Sequence, residues 1–230
     1  TQLSICDPSA ASRNTAWYTY NQKIQLFQPL GQAPGDWNAP SIPPPTKNYQ
    51  GQEYRILGMP AKAASFIEEL LTGTPIDLFD EAGSNAPLFD QNGKIVLFEI
   101  YVNESFWTYV QQLGYYDRRT QSDAVADGTF VGFPETGQPS EPGMNGVVVP
   151  DYAQQGAMSV KVSWKQLTPE EAQSGRFYTQ QVYYRDNDGL AVCSDDGAPI
   201  TIGLTGMHLL RLTPNTESTW FWSTFEQVDN

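Results

Sequence analysis

Apolar and polar side chains alternate most clearly along three stretches of this chain: Lys94–Asn103, Met158–Leu167 and Ile200–Leu212. In the first, Val96, Phe98, Ile100 and Val102 line one face, and Leu97, Glu99 and Tyr101 the other. In the second, Val160, Val162 and Trp164 oppose Ser159, Lys161, Ser163 and Lys165. In the third, Ile200, Ile202, Leu204, Gly206, His208, Leu210 and Leu212 share the even row. A repeat of two places successive side chains on opposite sides of a β-strand, so each stretch is read as a strand. Gly203 and Gly206 are weak strand formers and mark a bulge or a close backbone approach. Phe177–Arg185 reads as a further strand, and Asp186-Asn187-Asp188-Gly189 as the tight turn that ends it.

The last strand belongs to a hairpin. Thr213–Ser218 holds Pro214 and Asn215 and reads as a turn, and Trp220–Phe225 as the returning strand. Aromatics on both of its faces predict a central strand covered from both sides. On the apolar even face, His208 is expected to be a buried neutral imidazole with hydrogen-bonded ring nitrogens. The functional alternative makes it a base or metal ligand beside Glu226 or Asp229.

A period near 3.6 marks the helices. Trp17, Tyr20, Ile24 and Phe27 share a face over residues 12–28, ended by Pro29. Residues 60–72 repeat the pattern with Phe66, Ile67, Leu70 and Leu71, and Gly73 follows. Asn103 caps a third helix carrying Phe106, Tyr109, Val110 and Leu113, which Gly114 closes. Thr168-Pro169-Glu170-Glu171 is a capping box with proline at the first helical position. Between these elements lie a proline-rich strap over 29–52 and a long polar stretch over 117–157. The latter is read as a lid or a loop decoration.

The expected fold is therefore α+β, mostly β: an antiparallel sheet or sandwich with three or more short helices, in a single domain over 1–230. Within it, 1–58 is an N-terminal helix and strap. Residues 59–116 are a helix, hairpins and a strand–helix unit; 117–157 form the long loop, and 158–230 the β body.

Composition narrows the partners. The net charge is -13, and only 17% of the 230 residues are charged. An acidic surface repels phosphates, which argues against nucleic acid. No apolar run approaches the length of a membrane span. Few charges with many aromatics fit a secreted or periplasmic β-rich protein. Thr1 without a signal peptide reads as a processed or trimmed product. In that setting Cys6 and Cys193 are expected to form a disulfide; closing nearly the whole chain, it is worth roughly 5 kcal/mol in the chain-entropy model.

The remaining chemistry is sparse. One histidine leaves no multi-histidine metal site, and no nucleotide, flavin or haem motif is present, so no cofactor is expected. The paired turns Leu78–Gly83 and Leu88–Gly93 each follow an apolar pair with an aspartate. Asp90 and Asn92 could bind Ca2+, but the closing glutamate of a twelve-residue calcium loop is missing and Asx turns explain the same residues. Glu99 and Glu226, with His208 assisting, are candidate catalytic residues of a carboxylate-based, glycosidase-like hydrolase. Trp164, Trp220, Trp222, Tyr183 and Tyr184 could instead form a platform for sugars or another apolar-faced ligand, or simply fill the core.

Three blocks, VLFEIYVNESFWTYVQQLGYYD, SVKVSWKQL and GLTGMHLLRLTPNTESTWFWSTFEQVDN, resemble a family of exported bacterial proteins without an established activity. Its members carry a C-terminal GLxGxHI…WxWxTFExVDN motif. Arg211-Leu212-Thr213 departs from the family, which has a His or Lys before Lys-Thr there. The resemblance implies an exported location and transfers no mechanism. The candidate binding residues Lys161, Trp164, Trp222 and Asp229 all match positions of the pattern. Three functions follow as expectations: a non-catalytic exported domain binding an unknown ligand or partner protein, the hydrolase, or a structural module of a larger envelope assembly.

Overall fold

The computed structural model describes residues 16–57, 88–94, 96–148, 155–185, 191–192, 196–214 and 219–228. The expected disulfide between Cys6 and Cys193, the helix over 60–72, the first LFD turn, the turn at 186–189 and Asp229 lie outside the described residues.

The architecture is α+β and mostly β, as the patterning implies, and of the two forms expected, a sheet or a sandwich, it is a curled sheet. Its strands are β1 (Asn21–Gln22), β4 (Thr46–Tyr49), β5 (Gln52–Leu57), β6 (Leu97–Val102), β7 (Met158–Gln166), β8 (Thr179–Arg185), β9 (Ala191–Val192), β10 (Ile200–Arg211) and β11 (Phe221–Glu226). They run in the order β1-β6-β7-β10-β8-β5-β4, with β11 on β10 and β9 on β8. The pairing is mixed, because β5 and β8 run parallel. A small separate hairpin joins β2 (Gly35–Asp36) to β3 (Ala39–Pro40).

The inner face of β6, β7 and β10 carries the main core, with Leu97, Tyr101, Val160, Val162, Trp164 and Ile202 buried against Trp17 and Leu57. A second cluster gathers on helix α2 (Glu104–Gln112), whose Trp107, Tyr109 and Val110 pack with Leu26, Val102 and Tyr115. The Asn103 side chain caps this helix by accepting from the Phe106 amide at 3.1 Å, and its own amide donates to the Gly156 carbonyl.

Several elements depart from the periodicity. Residues 16–28 do not form one helix. A 3₁₀ turn (Ala16–Thr19) leads into β1, which pairs with β6, and then into the single turn α1 (Lys23–Leu26). The ladder hydrogen bonds to β6 displace the helical ones that Trp17, Tyr20 and Ile24 suggested, and Ile24 is exposed. The strap contains the β4–β5 hairpin, turned at Gln50 and Gly51, both at positive φ. The long loop is not a featureless lid. It holds helix α3 (Arg118–Ala126), and Phe133 packs on Phe106, Tyr109 and Trp220. Further on, the Glu141 carboxylate accepts from the amides of Glu135, Thr136, Gly137 and Gln138, fixing the backbone around a single anion. Helix α4 (Pro169–Gln173) begins with the expected capping box between Thr168 and Glu171.

The terminal hairpin splits. Strand β10 is central, flanked by β7 on one side and by β8 and then β11 on the other. Strand β11 is not central: it pairs only with β10 among the described residues, and Phe221, Trp222 and Phe225 are 57%, 57% and 59% exposed.

Candidate functional site

One irregularity decides where the histidine goes. The register of β10 on β7 shifts between Leu204, opposite Trp164, and Gly206, opposite Ser163. Thr205 is the extra residue of a β-bulge. Its buried hydroxyl lies 3.0 Å from Ser163 Oγ and donates to the Ser163 carbonyl at 3.2 Å. Before the bulge the even residues Ile200 and Ile202 face the core. After it the odd residues Met207 and Leu209 pack on that core, and Gly206, His208 and Leu210 turn outward. His208 is therefore half-buried on the outer face and not enclosed in the apolar row. The period-two reading fails here because a single inserted residue reverses every side chain beyond it.

The outer face then assembles by register. His208 stands opposite Lys161 on β7 and Thr224 on β11; Gly206 stands opposite Ser163 and Glu226. Phe98 is the β6 partner of Ser163. These residues, with Thr205, Met207 and Phe225, line a groove of about 110 Å³. The Lys161 ammonium sits 4.9 Å from the centre of the Phe98 ring, in cation–π range. His208 Nδ1 is 2.9 Å from Thr224 Oγ1, and the Trp222 indole N–H donates to the same oxygen at 3.1 Å. The two rings are 5.3 Å apart. Accepting from the indole leaves Thr224 Oγ1 a lone pair and a proton, so either imidazole tautomer closes the bridge. The effect is to pin an exposed indole beside the groove. Lys23 belongs to the same neighbourhood: burial, and then the charge of Lys161, lowers its pKa.

Glu99 is elsewhere. It lies on the inner face of β6, opposite Val162, and is buried. Its Oε1 accepts from Gln22 Nε2 at 2.8 Å and from Arg55 at 3.3 Å, and its Oε2 from the Trp164 indole at 3.0 Å. Arg55 also donates to the Tyr101 hydroxyl and to Gln180. Burial first, and the Glu99 charge second, raise the Tyr101 pKa. Every oxygen of this carboxylate is engaged by the core, as a buried charge requires.

Of the sequence candidates, the structure brings together His208, Glu226, Lys161 and Trp222 at one groove and its border. It does not bring Glu99 or Trp164 there, since both are on the opposite side of the sheet. Tyr183 is buried with its hydroxyl on the Gly197 carbonyl. Asp90 Oδ1 accepts from the amides of Asn92 and Lys94, an Asx turn within the second LFD hairpin. Among the described residues no three His, Cys, Asp or Glu side chains cluster to hold a metal ion. No described helix is long and apolar enough to cross a membrane. Sequence reasoning missed Ser163, Thr205 and Thr224 as groove residues. Gly203 and Gly206, on either side of Thr205, were the signals for the bulge that gathers them.

No family model, curated protein or solved structure matches this chain.

Proposed function

We propose that this is a non-catalytic binding domain whose outer-face groove takes a ligand with an apolar face and a hydroxyl-bearing rim, a sugar ring being the simplest such shape. The observation that carries the reading is Trp222: it is exposed, yet its indole is held through Thr224 to His208, so a stacking surface is fixed before any ligand arrives. The groove beside it mixes a cation, Lys161, with a carboxylate, Glu226, and the hydroxyls of Ser163 and Thr224. A phosphate would meet Glu226 unfavourably, and a cation would meet Lys161. A hydroxyl accepts from the ammonium and donates to the carboxylate, so it suits both.

The hydrolase reading has less support. A glycosidase needs two carboxyl groups on one substrate, about 5–10 Å apart. Here Glu226 and Glu99 face opposite sides of a sheet, and Glu99 is saturated with structural hydrogen bonds. Export to a secreted or periplasmic location remains part of the proposal, on the composition and the family resemblance.

Titration of the whole chain with a panel of neutral and acidic oligosaccharides, followed by tryptophan fluorescence, tests the reading. A saturable change with at least one glycan, lost in Trp222→Ala and weakened in Lys161→Ala, is expected. A panel that gives no saturable response in the wild type, or binding that survives Trp222→Ala, overturns it.

A further inference from the structure

Strand β11 exposes three large aromatics within five residues, and its sequence is nearly self-complementary. Among the described residues the strand pairs with β10 alone, on one side. Phe221, Trp222 and Phe225 remain more than half exposed. Unpaired edges of this kind template a further strand unless charges, prolines or bulges blunt them. Residues 220–226 contain no lysine, no arginine and no proline, and one charge, Glu226.

We propose that the occupant is a second copy of this chain, joined β11 to β11 about a twofold axis through Ser223. Such an axis, perpendicular to the sheet, keeps inner faces with inner faces. It therefore allows only registers in which residues of equal parity meet. Centred on Ser223, Phe221 meets the partner's Phe225 and Trp222 meets the partner's Thr224, each pair occurring twice. The small Ser223 meets its own copy at the axis. Glu226 falls opposite Trp220 of the partner subunit, so no like charges face each other. Directly opposed aromatic pairs are a favourable unit of sheet pairing. The alternative centres are poorer: on Trp222 or on Thr224, Phe221 or Phe225 meets Ser223 and the paired phenylalanines are lost.

Six-residue edges bury less than the roughly 1,600 Å² of a standard interface. The dimer is accordingly concentration-dependent. It should also tighten with salt, since two chains of net charge -13 repel each other and ions screen that repulsion. On the outer face it brings the partner's Trp222 beside Thr224, the residue that holds His208, so each copy extends the other's groove. The inference is independent of what the groove binds.

Sedimentation equilibrium of the full chain, from low to high micromolar concentration, tests it, with a non-reducing gel to exclude cysteine cross-links. The expected mass rises from 25.6 kDa toward twice that value, more readily at high salt. The double variant Phe221→Glu/Phe225→Glu sets like charges opposite each other twice and should weaken the dimer by about tenfold or more. Phe221→Lys/Phe225→Glu sets opposite charges there and should restore it. Circular dichroism and melting of both variants establish that they fold. A wild type that stays monomeric at high concentration overturns the proposal. So does a folded Glu/Glu variant that dimerises like the wild type, or a folded Lys/Glu variant that does not recover.

Discussion

The two faces of β6, β7 and β10 are built from the same kinds of residue and do opposite things. The inner face holds a buried carboxylate, Glu99, and a buried indole, Trp164, with a part-buried cation, Arg55, all joined by hydrogen bonds. The outer face holds Glu226, Lys161 and Trp222 around a groove open to water. On the inner face both Glu99 oxygens are taken up by Gln22, Arg55 and Trp164, so this carboxylate has no oxygen left for a ligand. On the outer face the indole is fixed but its surface is free. Residue type alone did not distinguish a structural carboxylate from a site carboxylate; the layer on which each sits does.

The largest effect expected from this contrast is at Glu99. Glu99→Ala removes the acceptor of the buried Trp164 indole and of Gln22, and the charge partner of Arg55, which keeps Tyr101 and Gln180. Unfolding in denaturant should show a loss of about 3–5 kcal/mol. Glu226→Ala, measured in the same way, should change stability by no more than about 0.5 kcal/mol. Equal losses would mean that the two faces are not distinct.

Next comes the close approach at the start of β10. A β-carbon added at Gly203 would lie 2.7 Å from Leu167 Cδ2 and 3.0 Å from Phe177 Cδ1. Gly203→Ala should therefore cost about 1–3 kcal/mol by overpacking. At Gly206, on the outer face, the nearest atom is the Ser163 hydroxyl, the end of a small rotatable side chain. Gly206→Ala should cost less, and a thermal melt of the two variants side by side ranks them.

How far these contrasts were legible in the sequence varies by element. The faces of β7 were legible, because the eight residues Met158–Lys165 alternate without interruption. The α2 cap was legible from Asn103, and the α4 cap from Thr168 and Glu171. Bulge Thr205 was not: Gly203 and Gly206 pointed to an irregularity, but only the partner strand shows which residue is extra. The place of β11 was not legible, because aromatics on both faces fit a covered strand and an exposed edge strand equally well. The 16–28 segment misled: helical spacing persisted where a sheet edge claimed the backbone. Glu99 looked like a catalytic residue because sequence shows its charge and not the three donors that neutralise it.

An ion pair on the outer face can be interrogated by pH. Lys165 Nζ donates to Glu171 Oε1 at 2.7 Å, and the Thr168 amide donates to Oε2. The Lys165 hydrogen bond first, and that of the Thr168 amide next, hold the Glu171 pKa below the ordinary carboxylate range. A depressed carboxylate stabilises the fold above its unfolded pKa of about 4.3, and the contribution is lost as pH falls through the folded value. For a partly exposed pair this amounts to about 0.2–1 kcal/mol. A double-mutant cycle with Lys165→Met and Glu171→Gln should show that coupling in full at pH 7 and progressively less of it as the pH is lowered below the ordinary carboxylate range. A coupling unchanged by pH would exclude the carboxylate as its source.

The smallest expected effect is the most discriminating. If His208 occupied the apolar row that simple alternation assigns it, removing the ring would leave a cavity in the core, and losses of several kcal/mol are usual for large-to-small changes there. With the bulge at Thr205, the ring is half-buried on the outer face, bonded to Thr224 and stacked near Trp222. His208→Ala should then change unfolding free energy by no more than about 0.5 kcal/mol. It should nevertheless alter Trp222 fluorescence, because the indole loses the partner that braces Thr224. Deleting Thr205 in the same background should reverse this tolerance by turning the residues after the bulge toward the wrong face. A large loss for His208→Ala with no change in Trp222 emission would place the imidazole in the core and remove the bulge on which the outer-face groove depends.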